Sequence, residues 1–368
     1  MKKCWFYQWA VFVLMAGVFA NVSGCGGSGD SVIYSAPEST RSWKMGFYYT
    51  PPRFGDVALA LENIDRFSAR AEVVMIHEEL PWDLLLDGAT TMDDILDTKR
   101  DLIAYLKSKG LNIYFMADLT DGLSRGEEPS ALRRLGRSIA EVTVQQRYRD
   151  YVLGFVTRFE PEYVGLTAET NLVRLAAEPA VYAAMVQAAN AAAADLVSAG
   201  VTTPLSISVQ VETAWGVLGG NGTYEGIEQD LVDFPFVQLL GLSSYPYFGY
   251  STPENIPDAY YSRLLSGRSL PVVICEGGWA SVSAGSFVSS PQLQARYIRR
   301  QADLLDSVQA RAVIQTLFTD IDLSSVPEPY PDNLPLFTSL GLMVLEGNTF
   351  LAKPALAVWD ELYARSLE

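Results

Sequence analysis

The chain has 368 residues, 43 acidic against 27 basic, a net charge of −16, one histidine and three cysteines. So acidic a surface repels nucleic acid and anionic lipid, which argues against a nucleic-acid partner. One histidine, His77, and no cysteine cluster argue against a histidine-rich metal site or a Ser-His-Asp triad, and no cofactor is expected.

Residues 1–24 read as a leader. Lys2 and Lys3 precede an apolar run from Trp9 to Ala20, too short to span a membrane but suited to a secretory signal. The run ends in Val22-Ser23-Gly24-Cys25, which resembles the bacterial lipobox, whose cysteine is diacylated and becomes the mature N-terminus. The alternative is an ordinary cleaved signal with a cysteine nearby. The lipobox reading implies an exported protein of the cell envelope, held to a bacterial membrane by lipid on Cys25. Residues 25–42, opening "GGSGDS" after the cysteine, then serve as a flexible tether, and residues 43–368 form one domain. Only Cys275 is left unmodified, so no disulfide is available and a large apolar core must hold the domain.

From Trp43 onward, strand-like and helix-like segments alternate. The expected strands are Lys44–Tyr49, Glu72–His77, Asn112–Asp118, Tyr163–Glu169, Leu205–Glu212, Val237–Tyr245, Val272–Glu276 and Ala312–Phe318. Among the helices, Asp93–Lys109 is the clearest. Ile95, Leu96, Leu102, Ile103 and Leu106 share its face, Thr91 caps it and Gly110 ends it. Glu178–Ala199 is alanine-rich and stops at Gly200, and Pro354–Leu367 closes the chain. Eight such units predict an α/β fold, a (β/α)8 TIM barrel. A doubly wound sheet would carry a glycine-rich phosphate loop after its first strand, where this chain has "YYTPPRFGD". "NGT" at Asn221 matches a glycosylation sequon and reads here as part of a glycine-rich loop.

In a barrel of this kind, chemistry sits at the C-terminal strand ends. Alternation along the fifth strand sends Leu205, Ile207, Val209 and Val211 toward the helices and Ser206, Ser208, Gln210 and Glu212 toward the axis. In the fourth, Gly165, Thr167 and Glu169 face in; in the sixth, Gly241, Ser243 and Tyr245 share a face. The third strand ends at Asp118. The seventh, "LPVVICEGGWAS", runs from a buried apolar stretch directly into Glu276, two glycines and Trp279. Carboxylates thus gather at several strand ends, beside the loop aromatics Trp82, Trp215, Tyr247, Phe248, Tyr250 and Trp279. Flat aromatic faces over an acidic pocket suit sugar rings. The plainer alternatives are carboxylates satisfied by salt bridges and aromatics that pack the rim.

Two carboxylates across such a pocket point to glycoside hydrolysis. With "VGLTAETN" at strand four, "GLSSYPYF" at strand six and "PVVICEGGW" at strand seven, the chain resembles the clan A retaining glycosidases. Within that clan it is similar to the arabinogalactan endo-β-1,4-galactanases. The resemblance implies Glu169 as acid/base, Glu276 as nucleophile, Tyr245 as its hydrogen-bond partner and Trp279 as a sugar contact. Trp215, Tyr247, Glu212 and Asp118 are further substrate-binding candidates. The implied substrate is a β-linked polysaccharide or oligosaccharide. Two positions depart from the clan pattern. Ala168 stands where the clan usually has an asparagine that binds the sugar 2-hydroxyl, so either a neighbour such as Thr167 or Asn171 takes over that contact, or the protein is slow, or it only binds glycan. Strand eight carries Phe318 and Asp320 where the clan commonly has tryptophan. Two other functions stay open: a degenerate barrel that binds glycan without cutting it, and a barrel enzyme of another class using Asp118, His77 or Glu212.

Overall fold

The computed structural model describes residues 40–218 and 222–368. The leader, Cys25, the tether up to residue 39 and Asn221 lie outside the described residues. Eight parallel strands close into a barrel in chain order. They are β1 Lys44–Tyr48, β2 Val73–Glu79, β3 Asn112–Asp118, β4 Tyr163–Gly165, β5 Leu205–Gln210, β6 Leu239–Ser244, β7 Val272–Gly277 and β8 Ala312–Gln315. This is the (β/α)8 barrel that the sequence predicts.

Alternation along each strand splits the apolar residues into two cores. Val73, Met75, Tyr114, Met116, Val273, Cys275 and Ile314 fill the barrel interior. Val74, Ile76, Phe115, Val164, Ile207, Leu242 and Ile274 face the helices. The helix Met92–Ser108 starts in a capping box between Thr91 and Asp94, so two of its first amide groups are satisfied locally. Pro179–Ser198 is apolar and long enough to cross a membrane, yet it buries Ala188, Ala192 and Leu196 in the body of the protein.

Several boundaries differ from the sequence reading, among them that of β4, expected to reach Glu169 but ending at Gly165 where the chain begins to turn toward the helix Thr170–Ala176. The last helix spans Pro354–Tyr363, because Ser366–Leu367 pairs in parallel with Thr40–Arg41. The fold therefore takes in residues 40–42, which composition alone assigns to the tether. Strand β5 stops at Gln210 and Val211–Ala214 turns helical, which removes Glu212 from the strand's alternation. An antiparallel hairpin, Met343–Glu346 with Thr349–Ala352, follows β8 and was not foreseen.

Strand β7 carries the irregularity that matters most for the site. Leu242 pairs with Ile274, but Ser243 pairs with Glu276, so Cys275 is an extra residue. Val273 and Cys275 both point into the barrel, and strict alternation would send Glu276 outward. The bulge re-aims Glu276 toward the mouth. Beyond it, Gly277 has φ +148°, and a Cβ there would lie 2.1 Å from the Ser244 carbonyl oxygen. Gly278, at φ +147°, would place one 2.4 Å from Gln315 Nε2. Both positions need glycine. We predict that Gly277→Ala lowers the unfolding free energy by ~1–3 kcal/mol, read from urea melts; an unchanged midpoint would contradict the crowding argument.

Candidate active site

Strand β4 does not end cleanly at Gly165. Leu166 N–H donates to Ser206 O at 2.9 Å and Ser208 N–H to Thr167 O at 3.1 Å, so pairing with β5 persists past the strand proper. Glu169 then adopts φ +47°, ψ +45°, and the helix Thr170–Ala176 begins. A left-handed conformation costs a non-glycine residue ~1–2 kcal/mol. Here it is held on three sides. The Glu169 N–H donates to Ser208 Oγ at 2.9 Å, Arg125 Nε donates to Oε2 at 2.6 Å and Ser243 Oγ to Oε1 at 2.7 Å.

Arg125 sits in the loop after β3 and is only 6% exposed. Its Nη1 donates to Asp118 Oδ2 at 2.5 Å, so one guanidinium is shared between two buried carboxylates. Asp118 also accepts from His77 Nε2 at 2.7 Å. The other ring nitrogen, Nδ1, lies 3.1 Å from Tyr48 OH. Burial alone would raise the Asp118 carboxyl, but Arg125 and His77 outweigh it and hold it well below the usual range.

Glu276 faces this group from β7. Tyr245 OH donates to its Oε1 at 2.6 Å, and His77 Nδ1 lies 3.7 Å from its Oε2. Thr316 braces the pair: its Oγ1 is 3.2 Å from Tyr245 OH and accepts the Gly277 N–H at 2.8 Å. Burial, and next the charge of Glu169, push the Glu276 carboxyl above its ordinary range, against His77, Arg125 and the Tyr245 hydroxyl. Glu169, Glu276, Tyr245 and Arg125 line one cavity of about 450 Å3 at the C-terminal mouth. The arrangement offers two carboxylates, one held by a phenol and the other by a guanidinium.

Other expected site residues fall elsewhere. Trp279 is fully buried, its ring 5.5 Å from Tyr297 and its Nε1 donating to Ser289 Oγ, so it packs behind the site and does not line it. Trp215 stacks on Tyr260 and donates to the Tyr260 carbonyl, also away from the cavity. Tyr247 is buried and spends its hydroxyl on Leu336 O. Trp82 is buried too, whereas Phe248 does line the cavity. Asp118 stands behind Arg125 and reaches the cavity only through it.

Asn171 is consumed by the Gln210 backbone, donating to its carbonyl at 2.8 Å and accepting its N–H at 2.8 Å. Thr167 is fully buried and its Oγ1 has no hydrogen-bond partner. Glu212 is fully buried outside the cavity lining, accepting from Gln210 Nε2 at 2.5 Å and from Tyr260 OH. Burial raises its carboxyl to about 7 against these donors and the Tyr245 N–H. Glu212 therefore orients Gln210, which does line the cavity.

Sequence reasoning missed Arg125, because a basic residue in an acidic loop carries no periodic signal. Thr316 was within reach, since alternation from Ala312 and Ile314 puts it on the inner face. Among the described residues, no group of three or more His, Cys, Asp or Glu side chains is disposed to hold a metal ion.

Fold and strand ends together define a (β/α)8 barrel with paired carboxylates at its mouth. No protein-family model matches the chain, and no curated protein matches its sequence. Solved structures do match in fold. One is the exo-β-1,4-mannosidase Op5Man5 of an Opitutaceae bacterium, with a TM-score of 0.64 and 14% identity over 90% of this chain. This chain spans 62% of that protein's length. A GH5_18 protein of Bifidobacterium longum gives 0.61 with 16% identity, over 89% of this chain and 81% of its own. The virulence factor SghA of Agrobacterium tumefaciens gives 0.58 with 12% identity, over 90% and 98%. Identities this low speak for the architecture.

Removing the shared cation should expose its role. We predict that Arg125→Met lowers the unfolding free energy by ~3–5 kcal/mol, because two buried carboxylates lose their counter-charge. Equilibrium denaturation checks this, and a loss under ~1 kcal/mol would be typical of an exposed pair instead.

Proposed function

We propose that the chain is a retaining β-glycosidase with Glu276 as nucleophile and Glu169 as acid/base. The observation that carries the reading is the convergence of Glu169 from β4 and Glu276 from β7 on one cavity, with the Tyr245 hydroxyl on Glu276. In the first step a Glu276 oxygen bonds to the anomeric carbon as the glycosidic C–O bond breaks, and Glu169, which must first take a proton from solvent in place of its ion pair with Arg125, gives that proton to the departing oxygen. In the second, Glu169 takes a proton from water, whose oxygen replaces the Glu276 ester at the same carbon. Both Glu169 oxygens are occupied in the free protein, so an arriving glycosidic oxygen must displace Arg125 or Ser243. Likeness in fold to a β-mannosidase supports this reading, as does a related Bifidobacterium structure in complex with Manβ1-4GlcNAc. The substrate implied by the sequence is a β-linked oligosaccharide or polysaccharide. Ala168, buried among the interior residues, keeps a second reading open, a barrel that binds glycan without cutting it.

Retention is the sharpest test. Proton NMR early in the hydrolysis of an aryl β-glycoside should show the β-anomer first, and Glu276→Ala should lose turnover and regain part of it with azide. An α-anomer formed first would exclude Glu276 as nucleophile. Acid should also silence the enzyme early. The carboxylate form of Glu276 attacks and its proton affinity is raised, so kcat/KM should fall, as pH drops, above the range of an ordinary glutamate.

We further propose that the protein is exported and lipid-anchored through Cys25, on the strength of the leader and the lipobox-like Val22–Cys25 segment. Metabolic labelling with a fatty acid should mark the wild type and spare Cys25→Ala; equal labelling of both would rule the anchor out.

A further inference from the structure

The cavity is polar at its floor and apolar on its walls. Its hydrogen-bonding side chains are mostly those of the strand ends already described, Arg125, Glu169, Gln210, Tyr245, Glu276 and Thr316. Above them the walls come from Leu123, Leu172, Leu218, Phe248, Phe287 and Phe337, contributed by the segments after β3, β4, β5, β6, β7 and β8. All six are half-buried, so each keeps apolar surface available. The aromatic members form one sheet of contacts continuous with Tyr245. Phe248 and Phe337 have ring centroids 5.8 Å and 5.1 Å from that of Tyr245, and Phe287 is 5.1 Å from Phe248. No tryptophan among the described residues lines the cavity.

The mouth is also strapped. The segment after β8 is tied on one side by Asn333 Nδ2, which donates to Leu123 O at 2.8 Å in the β3 loop. On the other side Tyr247 OH, from the β6 loop, donates to Leu336 O at 3.0 Å. Strands β3 and β8 are not neighbours in the barrel, so this segment spans the mouth between non-adjacent loops. Such a strap makes a pocket of what would otherwise be a groove through which a long glycan could run.

We propose that the leaving-group side of this pocket takes an apolar aglycone, making the substrate a β-glycoside of an aryl or alkyl alcohol of about six carbons or more. The inference rests on the β-glycosidase reading above and deepens it. One sugar, with its ring of hydroxyls, fits the polar floor. A second sugar could lay one ring face on a phenylalanine, but its edge hydroxyls would meet the leucines of the other walls, and each hydroxyl stripped of water without a partner is penalised. An apolar group removes the same wall surface from water with no such penalty. The volume, about 450 Å3, lies in the range of pockets that enclose a drug-sized ligand.

The test compares n-alkyl β-glycosides, methyl to hexyl, with β-1,4-linked disaccharides of the same glycone, on glucose and on mannose. All leaving groups are aliphatic alcohols, so differences report binding more than intrinsic reactivity. We expect kcat/KM to rise about three- to fourfold per added methylene and the hexyl glycoside to exceed the disaccharide by about tenfold or more. Phe337→Ser and Leu172→Ser, on opposite loops, should each lower the hexyl rate several-fold more than the methyl rate. A flat alkyl series, or a disaccharide at parity, overturns the proposal while leaving the glycosidase reading intact. If no β-glycoside turns over, including dinitrophenyl β-glycosides that need no acid, the glycosidase reading itself fails. Calorimetry then decides the apolar pocket separately: a hexyl glycoside that binds no tighter than the disaccharide overturns it.

Discussion

One guanidinium holds this site together. Arg125 is buried with Asp118 on one nitrogen and Glu169 on another, and the other groups at the mouth take their positions from that pairing. Three acidic side chains, Asp118, Glu169 and Glu276, converge there, and such a cluster repels itself unless a cation is built in. His77 extends the link from Asp118 toward Glu276. The result is a continuous polar chain from one catalytic candidate to the other through Asp118 and Arg125. Ion pairs of this kind are weak contributors to net stability, because desolvation offsets their attraction. What they fix is geometry: both carboxylates are held where one cavity can use them.

That geometry is reached by breaking the regularity of two strands. In β7 the extra residue Cys275 turns Glu276 from the helix-facing side to the mouth. After β4 the left-handed Glu169 redirects the chain into a helix while its side chain stays on the floor. Both distortions are local and both are stabilised by hydrogen bonds from neighbouring strands, Ser208 and Ser243 for Glu169, Tyr245 for Glu276. Strain concentrated at two strand ends, within an otherwise regular barrel, is the pattern expected where function and folding make different demands.

How much of this could be read from the sequence follows from the same contrast. All eight strands were legible, and in the fourth, fifth and sixth the inner and outer faces were too, because alternation is a local signal that buried parallel strands obey over most of their length. Glu169, Glu276, Tyr245 and Ser243 were legible as strand-end residues. Alternation failed for Glu212, because the chain coils at Val211, and it could not have foreseen the Cys275 bulge, since pairing register is a property of two strands. The loop tryptophans misled for a related reason. Trp279 and Trp215 follow strand ends, yet each found an aromatic partner and a hydrogen-bond acceptor behind the site. Arg125 was invisible, because its role depends on carboxylates 7 and 44 positions away.

Ala168 shows where the remaining chemistry must come from. A methyl group cannot donate a hydrogen bond, and neither residue first considered as a substitute is placed to supply one to a ligand. Asn171 has both side-chain atoms bound to the Gln210 backbone. Thr167 is enclosed and cannot meet a sugar without movement of the strand. Arg125, however, lines the cavity, and its hydrogen bonds to the protein use Nε and Nη1. Among the described residues its Nη2 has no hydrogen-bond partner, so under the proposed function it is the donor left for a sugar hydroxyl beside Glu169. A cation there opposes the positive charge that develops on a sugar ring, so what it would contribute under the proposed reaction is binding and orientation, through a charged donor whose hydrogen bonds are shorter and stronger than those of a neutral amide. On this reading Arg125 supplies at the floor the hydrogen bond to a ligand that Ala168 cannot give.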